Sequence, residues 1–195
     1  MTKRVCIIDG HPDRSGQHLI DGLCDAYARG ADWAGHKVSR INIGQLDFAF
    51  MRTADQFAGP PPEPVLSERE KIAEAEHVVM AYPLWLGAMP AALKSFLEIT
   101  ASDGFMISEP EQPNAMPVGQ MKGKSARLIV TMGMPGLVYK VMFGAHSLKA
   151  TELGIMKIAG FGPVRHSVFG MVDELGDDGR ARILKRVERL GERAI

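Results

Sequence analysis

The chain has 195 residues, and its 23 basic and 23 acidic side chains give a formal net charge of zero. This balance argues against nucleic acid as the main partner, because phosphate binding needs a cationic excess. A hydrophobic content of 46% with 24% charged residues excludes a disordered chain. The length is that of one domain, which we expect to cover residues 1–195.

Short stretches of the sequence exclude two further classes of protein. No apolar run reaches the roughly 18 to 20 residues that span a bilayer. Asp9 interrupts the N-terminal apolar run too early for a signal peptide, so we expect a cytoplasmic protein that is not embedded in a membrane. Cys6 and Cys24 have neither a CxxC nor a metal-ligand spacing, and we expect buried free thiols and no metal site.

Strand and helix patterns alternate along the chain. Short apolar runs or alternating patterns predict five strands, at residues 5–8, 37–43, 77–82, 126–132 and 164–169. Two segments that are rich in proline and glycine are predicted to be loops, at residues 44–66 and 102–123.

Helices are predicted between these strands. The first has helical spacing from Leu19 onward and is expected to end at Gly30 and Gly35. Ser67 and Glu70 have the spacing of a capping box, which predicts the start of a second helix. Other helical patterns follow Pro90, which suits a first helical turn, and cover residues 139–158 and the C-terminal segment around 183–190.

Five strands that alternate with helices imply a parallel sheet covered on both faces. We therefore predict an α/β, doubly wound, flavodoxin-like fold with strand order 2-1-3-4-5. Ligands of such sheets bind at the carboxyl ends of the strands, where the strand order reverses. This rule selects the loops after the first, third and fourth strands as the candidate site.

The first of these loops covers residues 10–18. It has neither the GxGxxG pattern nor a Walker lysine, so a dinucleotide fingerprint and a P-loop are absent. Ser15, Gly16 and Gln17 lie at a predicted helix N-terminus, where a hydroxyl and free amides can hold a phosphate or simply cap the helix. His11 and His18 are either part of that site or ordinary polar loop residues.

The second and third loops differ in character from the first. Trp85 lies in an apolar loop over residues 82–90, where it either packs under another segment or forms a flat wall for an aromatic ligand. The glycines of the third loop, residues 131–136, permit a close backbone approach to a ligand. Tyr139 and His146 are seven residues apart, so we expect them on one helix face, either as groups for proton transfer or as solvated residues.

Three stretches together resemble one protein family: residues 11–15, residues 82–94, and residues 131–135 with Tyr139 and residues 143–146. They are similar to the flavodoxin-like NAD(P)H:quinone oxidoreductases, which include the animal DT-diaphorases and many bacterial proteins, and the similarity extends over almost the whole chain. The resemblance implies a non-covalent flavin, FMN or FAD, with NAD(P)H as co-substrate. It also implies a homodimer with each site at the interface.

The resemblance also implies roles for individual residues. The flavin phosphate is expected on Ser15, Gly16, Gln17 and His18, with His11 nearby. The ring is expected between two sets of residues, namely Pro83, Leu84, Trp85, Leu86 and Gly87 on one side and Thr131, Met132, Gly133, Met134 and Gly136 on the other. Tyr139 matches a family tyrosine that supports proton movement, and His146 matches the family histidine when one residue is inserted before it. Gly16 and Gln17 depart from the common pattern, which leaves FMN and FAD both open.

The expected reaction is hydride transfer from NAD(P)H and then reduction of a quinone or similar aromatic acceptor, in a two-electron, ping-pong sequence. Alternatives are a flavin-binding regulatory subunit of a potassium-efflux antiporter and an azo or nitro reductase. The neutral charge disfavours a one-electron carrier. The two long loops are expected to build the substrate slot and dimer contacts. Residues 105–107 are a candidate to reach a partner's flavin or else to fold onto their own domain.

Overall fold

The computed structural model describes residues 1–15, 18–110 and 116–195. Its main sheet has five parallel strands: β1 (Arg4–Asp9), β2 (Lys37–Asn42), β3 (His77–Pro83), β6 (Ser125–Thr131) and β7 (Val164–Phe169). Their order is β2-β1-β3-β6-β7. The other two strands, β4 (Ile107–Ser108) and β5 (Val118–Gly119), form a separate antiparallel hairpin. The predicted order 2-1-3-4-5 is therefore confirmed for the five strands of the sheet.

The three central strands have buried side chains at consecutive positions, because helices cover both faces of the sheet. Alternate side chains enter opposite cores. Ile7 and Val79 pack with helix α1 (Leu19–Trp33) and helix α7 (Gly176–Arg193), whereas Ile8 and Met80 pack with α3 (Val65–Glu74) and α4 (Ala91–Ala101). An unbroken apolar run was the correct sign of these strands for this reason.

Helix α1 extends past Gly30 and ends at Trp33, so the expectation that Gly30 ends the helix is wrong. Gly35, with φ of +79°, turns the chain after it. Gly30 has a different task at the crossing of α1 and α7, where a Cβ on it would lie 1.9 Å from the Glu188 carbonyl oxygen. A Cβ on Gly191 of α7 would lie 2.1 Å from the Tyr27 oxygen. The two backbones touch because each helix has a glycine at the contact.

Two other helix starts differ from the predictions. Helix α3 begins at Val65, directly after Pro64, and Ser67 lies inside it. The Ser67 hydroxyl donates to the Glu63 carboxylate at 2.8 Å, so it binds backward along the chain and does not cap the helix. Pro90 directly precedes α4 and lies one residue outside its first turn.

The two long loops pack onto the body of the protein and contact each other. The segment 44–66 contains the short helix α2 (Ala54–Ala58), and the Phe57 carbonyl accepts a hydrogen bond from the Asp103 amide at 3.0 Å. In the segment 102–123, Met106 is 3% exposed and lies in the core, with residues 105 and 107 packed beside it. Residues 105–107 thus fold onto their own domain. Residues 111–115 of this segment lie outside the described part of the chain.

The predicted helical stretch 139–158 is divided into two helices. Helix α5 (Gly136–Val141) ends before a turn in which Gly144 has φ of +57° and Ala145 has φ of +50°. Helix α6 (His146–Thr151) then begins and continues as a π-helical turn over Glu152–Lys157. Gly144 was the one sign of this break in the sequence, and the apolar residues on both sides of it concealed that sign.

Cys6 and Cys24 are buried free thiols, as expected, and burial raises the pKa of Cys6 to about 12. Within the described ranges, no helix is both long and apolar enough to cross a membrane. The same ranges contain no group of three or more His, Cys, Asp or Glu side chains arranged to hold a metal ion.

Candidate active site

The three loops selected from the sequence meet at the carboxyl edge of the sheet. Strands β1, β3 and β6 are neighbours, with Asp9 opposite Ala81 and Pro83 opposite Thr131. The amide of Leu84 donates to the Thr131 carbonyl at 2.7 Å, which ties the second loop to the third. The topology therefore brings together most of the predicted residues, from segments that are far apart in sequence.

The first loop is organised around the Asp13 carboxylate. One oxygen accepts the Ser15 amide at 2.9 Å, and the other lies 2.8 Å from Nε2 of His18. The Ser15 hydroxyl lies 3.2 Å from the same His18 nitrogen. The Ser15 amide, followed by His18, holds the pKa of Asp13 below its ordinary value. Gly16 and Gln17, which were predicted to bind phosphate, lie outside the described residues.

His11 connects the first loop to the strand below it and to the second loop beside it. Its Nδ1 accepts the Asp13 amide at 3.2 Å, so a neutral imidazole carries its proton on Nε2. Burial, with a smaller contribution from the charge of His18, lowers the pKa of His11, which favours that neutral form. The His11 ring stacks on His18 at 3.7 Å between centroids and meets the edge of Trp85 at 5.6 Å.

The second loop projects apolar side chains into solvent. Trp85 and Ala88 exchange two backbone hydrogen bonds, of 2.8 and 2.9 Å, and so close a tight turn. Leu86 and Gly87 at its tip have φ of +47° and +78°, a conformation that is strained for leucine. Trp85 is 49% exposed and Leu86 is 106% exposed. The tryptophan is therefore not buried under another described segment, and Pro83 and Leu84 are half-buried beneath this turn.

The third loop combines a buried start with an exposed tip. Thr131 and Met132 are buried, and the Met132 amide donates to the Phe169 carbonyl of β7 at 2.9 Å. Gly133 is exposed, Met134 and Gly136 are half-buried, and a Cβ on Gly133 would lie 3.0 Å from the Asp173 carboxylate. The backbone of this loop is thus exposed to solvent at Gly133, whereas the residues before and after Gly133 pack against the protein.

Tyr139 and His146 do not share a helix face, so that expectation is wrong. The break before α6 places them on different helices. Tyr139 is buried, and its hydroxyl accepts the Leu148 amide at 3.1 Å and lies 3.2 Å from the Ser147 hydroxyl. His146 is exposed, and its ring lies over Gly144. The phenol is therefore held by hydrogen bonds, whereas the imidazole faces solvent.

Comparison with known proteins identifies the family. A family model described as "Flavodoxin-like fold" (Flavodoxin_2) matches residues 3–194. This chain belongs to that family. Two curated relatives are an "Uncharacterized NAD(P)H oxidoreductase" of Haemophilus influenzae, 28% identical over 125 residues, and an "FMN-dependent NADH:quinone oxidoreductase" of Ruegeria pomeroyi, 27% identical over 121 residues. The matches cover 64% and 60% of this chain but only 60% and 52% of the two relatives.

A solved structure gives the same fold. The NAD(P)H:quinone oxidoreductase from Methanothermobacter marburgensis superposes with a TM-score of 0.80 at 23% sequence identity, and the alignment covers 98% of each chain. At this identity, the likeness shows the flavodoxin-like fold and does not by itself assign an activity.

The residues at the carboxyl edge fit the two halves of a flavin. The exposed, apolar turn of Trp85 and Leu86 suits a flat ring. The loop of Ser15 and His18 suits a phosphate, because these two residues already bind one anionic group, the Asp13 carboxylate. A cavity of about 520 Å³ adjoins the phosphate side, between the first loop, residues 43–50 and α4. It does not extend over Trp85 or Gly133, so residues 1–15, 18–110 and 116–195 leave the ring side open.

Sequence reasoning missed Asp9 as a residue of this site. It ends β1 directly before the first loop and is 1% exposed, and one of its oxygens accepts the His11 amide at 3.0 Å. An acidic residue that closes an apolar strand was the available signal. A buried carboxylate at the point where the strand order reverses is costly unless it has a function.

Proposed function

We propose that this protein is a flavin-dependent oxidoreductase that transfers two electrons from NAD(P)H to a quinone or a similar flat aromatic acceptor. The observation that carries the proposal is the junction of an exposed Trp85 turn with the polar loop of His11 and His18, at the edge where this fold binds ligands. The names of the two relatives from Haemophilus influenzae and Ruegeria pomeroyi support the same class of reaction. We further propose that residues 1–195 act as a single flavin-binding domain.

The residues fit a non-covalent flavin, held at its phosphate by Ser15, Gly16, Gln17 and His18 with His11 nearby, and at its ring by residues 83–87 and 131–136. When bound, the flavin supplies two-electron chemistry, because it accepts a hydride from NAD(P)H and reduces the acceptor. The relative from Ruegeria pomeroyi is named as FMN-dependent, which favours FMN over FAD.

The protein's own share is orientation, charge and protons. Neutral His11 offers an N–H donor at Nε2, and the apolar Trp85 turn offers a flat surface to one side of the ring. The Leu148 amide donates to Tyr139 Oη at 3.1 Å, which fixes the phenol, and the Ser147 hydroxyl 3.2 Å away can exchange a proton with it. We assign Tyr139 the role of holding that proton near the reacting centre, with His146 as a second, exposed proton carrier.

We also propose that the protein works in the cytoplasm as a homodimer with each site at the interface. The open ring side supports this arrangement, since a second copy is a natural cover for the exposed Trp85 and Leu86.

The cofactor itself gives the first test. We expect the purified protein to show absorption bands near about 370 and about 450 nm, and chromatography of the released cofactor distinguishes FMN from FAD. Steady-state assays with NADH or NADPH and benzoquinone should give parallel double-reciprocal lines. A protein that binds neither FMN nor FAD when they are added in excess contradicts the proposal.

The Tyr139→Phe variant tests the role of the phenol. We expect turnover to fall about tenfold or more while the affinity for flavin stays within about twofold, because the hydroxyl acts on proton transfer and not on binding. Tyr27→Phe is the matched control, since Tyr27 is equally buried but its hydroxyl bonds to the Ile195 carbonyl at the opposite end of the sheet. Equal turnover in Tyr139→Phe and the wild type contradicts the assigned role.

A further inference from the structure

Asp9 is a buried carboxylate directly below the first loop. It is the last residue of β1, lies between Asn42 of β2 and Ala81 of β3, and is 1% exposed. Its Oδ1 accepts the His11 amide at 3.0 Å. No donor in the described part of the chain reaches its Oδ2. A buried carboxylate with one unpaired oxygen lowers the stability of the fold, so Asp9 is a candidate for a functional role.

The charges around Asp9 oppose its ionised form. Asp21, in the first turn of α1, adds a second carboxylate, whereas Arg40 of β2 attracts Asp9 but is itself paired with Asp25. Cys24 of α1 is a buried thiol whose pKa burial raises, so it stays neutral, and the neighbouring β3 residue is an alanine. Burial, reinforced by Asp21 and opposed by the His11 amide and Arg40, raises the pKa of Asp9 to about 6.

A chain of hydrogen bonds joins Asp9 to the polar groups of the loop. From the His11 amide it continues through His11 Nδ1 to the Asp13 amide at 3.2 Å, and from the Asp13 carboxylate to Ser15 and His18. The His18 amide in turn donates to Asp21 at 2.8 Å. The Asp9–Asp21 carboxyl pair therefore underlies both ends of the loop whose middle is expected to bind phosphate.

We propose that Asp9 is the positioning residue of the first loop and that its Oδ2 takes up a proton from solvent when the phosphate group of a flavin binds there. This inference rests on the proposed function, since it takes the phosphate-binding role of the loop as given. A phosphate brings further negative charge near Asp9, whose ionised form burial and Asp21 already disfavour. The protonated Oδ2 then becomes a donor that faces Asp21, which relieves its unpaired state.

The sign of the expected effect follows from this linkage. A phosphate favours protonated Asp9, so lower pH should favour binding of phosphate-bearing flavins, and each binding event near pH 6.5 should take up about half a proton. An asparagine at position 9 imitates the protonated acid. Its oxygen accepts the His11 amide, and its NH₂ group donates toward Asp21 without any proton uptake.

The test is calorimetric titration of flavin-free protein with FMN near pH 6.5 in two buffers that differ in heat of ionisation. We expect wild type to take up about half a proton more per FMN than Asp9→Asn, since the titration of the FMN phosphate itself is common to both. At pH 8, Asp9→Asn should bind FMN about eightfold more tightly than wild type. Riboflavin, which lacks the phosphate, should show no difference between the two proteins.

A matched variant and a direct measurement complete the test. Asp32→Asn makes the same substitution at an exposed position of α1 and should behave as wild type. Asp9→Leu lacks both hydrogen-bonding functions and should bind FMN at least tenfold more weakly than Asp9→Asn at every pH. Carboxyl NMR of the wild type, which needs no variant to fold, should show the Asp9 titration midpoint move upward when FMN is added.

Equal proton uptake in wild type and Asp9→Asn, or an Asp9 midpoint that FMN does not move, overturns the role of Asp9 while FMN binding itself stands. A wild-type protein that gives neither a binding heat nor a visible band with FMN, FAD or riboflavin overturns the proposed function, and the role of Asp9 with it. The two failures therefore have different signatures.

Discussion

The two ends of the parallel sheet are finished by opposite charges. At the amino ends of the strands, lysines bind the backbone where helices stop: Lys124 Nζ donates to the Ala73 and Ala75 carbonyls at 2.6 Å, and Lys3 Nζ donates to the Ala194 carbonyl at 2.9 Å. At the carboxyl ends, three carboxylates surround the start of α1, namely Asp9, Asp13 and Asp21.

This difference follows from the fold. Helices that return between parallel strands all end near the amino ends of the strands, so partial negative charge collects there and partial positive charge collects at the carboxyl ends. The chain satisfies the first end with its own cations, bonded directly to the carbonyl groups. At the second end it places an exposed carboxylate, Asp13, with which an anionic ligand can compete, and a buried one, Asp9, whose pKa such a ligand can raise. One end is therefore built for stability and the other for exchange.

The largest expected effect is on the amino end of the sheet, where α1 and α7 cross. Gly191→Ala puts a Cβ about where the Tyr27 carbonyl oxygen lies, at 2.1 Å, in the α1–α7 contact. The atoms that this Cβ would meet belong to the backbone, so they cannot move aside as the atoms of a side chain can. We expect the free energy of unfolding in urea to fall by about 3 kcal/mol.

Gly22→Ala is the matched control for this substitution. Gly22 lies in α1, and its added Cβ would meet only the Leu184 side chain at an ordinary 3.5 Å. Replacement of this helical glycine should raise the free energy of unfolding by about 0.5 to 1 kcal/mol. If the two alanine variants had the same stability, the close approach of α1 and α7 would not be a determinant of this end.

The second prediction concerns acid sensitivity of the same end. His77 begins β3, is 1% exposed, and has Nδ1 2.7 Å from the Ser125 hydroxyl. Burial, followed by the charges of Lys3 and Arg127, lowers the pKa of His77 to about 3. Because the unfolded chain binds this proton near pH 6.5 and the folded chain does not, stability is lost as the pH falls from about 6.5 toward 3.

At pH 5 this linkage should cost the wild type about 2 kcal/mol relative to pH 7.5. His77→Gln keeps a polar side chain but removes the titration, so its unfolding free energy should fall by about 2 kcal/mol less over the same interval. Urea titrations of both proteins at the two pH values measure the difference. Parallel losses in both proteins would mean that His77 is protonated in the folded state.

The sequence predicted the strands and the place of the site, because both depend on local patterns and a topological rule. Val5 to Ile8 form an apolar run whichever helix covers it, and three loops must meet when their strands are neighbours. The close contact at Gly30 is a tertiary event, since nothing near it in sequence distinguishes a helix crossing from a helix end. The separation of Tyr139 from His146 likewise depends on positive φ angles at Gly144 and Ala145, of which only the first has a residue type that favours them.

Asp9 shows a different kind of difficulty. Its residue type and position were plain in the sequence, but the unpaired Oδ2 and the proximity of Asp21 arise only when β1 and α1 come together. The burial and the charge environment of one carboxylate depend on the tertiary structure, so the spacing of residues in the sequence does not predict them.

The smallest expected effect is on the carboxyl end of the sheet, in the first loop. The Asp13 carboxylate already occupies the Ser15 amide and Nε2 of His18, two of the donors that the loop would offer to a phosphate. An incoming phosphate must therefore compete with an exposed carboxylate of the same charge. Asp13→Asn removes that charge but retains an oxygen for the Ser15 amide, so FMN should bind about threefold more tightly, with riboflavin unchanged.

Asp47→Asn is the control for this variant. Asp47 is also exposed and lines the cavity beside Arg14, but it has no hydrogen bond or ion pair among residues 1–15, 18–110 and 116–195. Fluorescence titration with FMN and riboflavin compares the three proteins at low ionic strength, where exposed charges act most strongly. An equal gain in both variants would indicate general repulsion, and a gain for riboflavin would mean that Asp13 acts on the ring. A gain confined to Asp13→Asn and FMN would show that this end holds its own anion in the place of the ligand's phosphate.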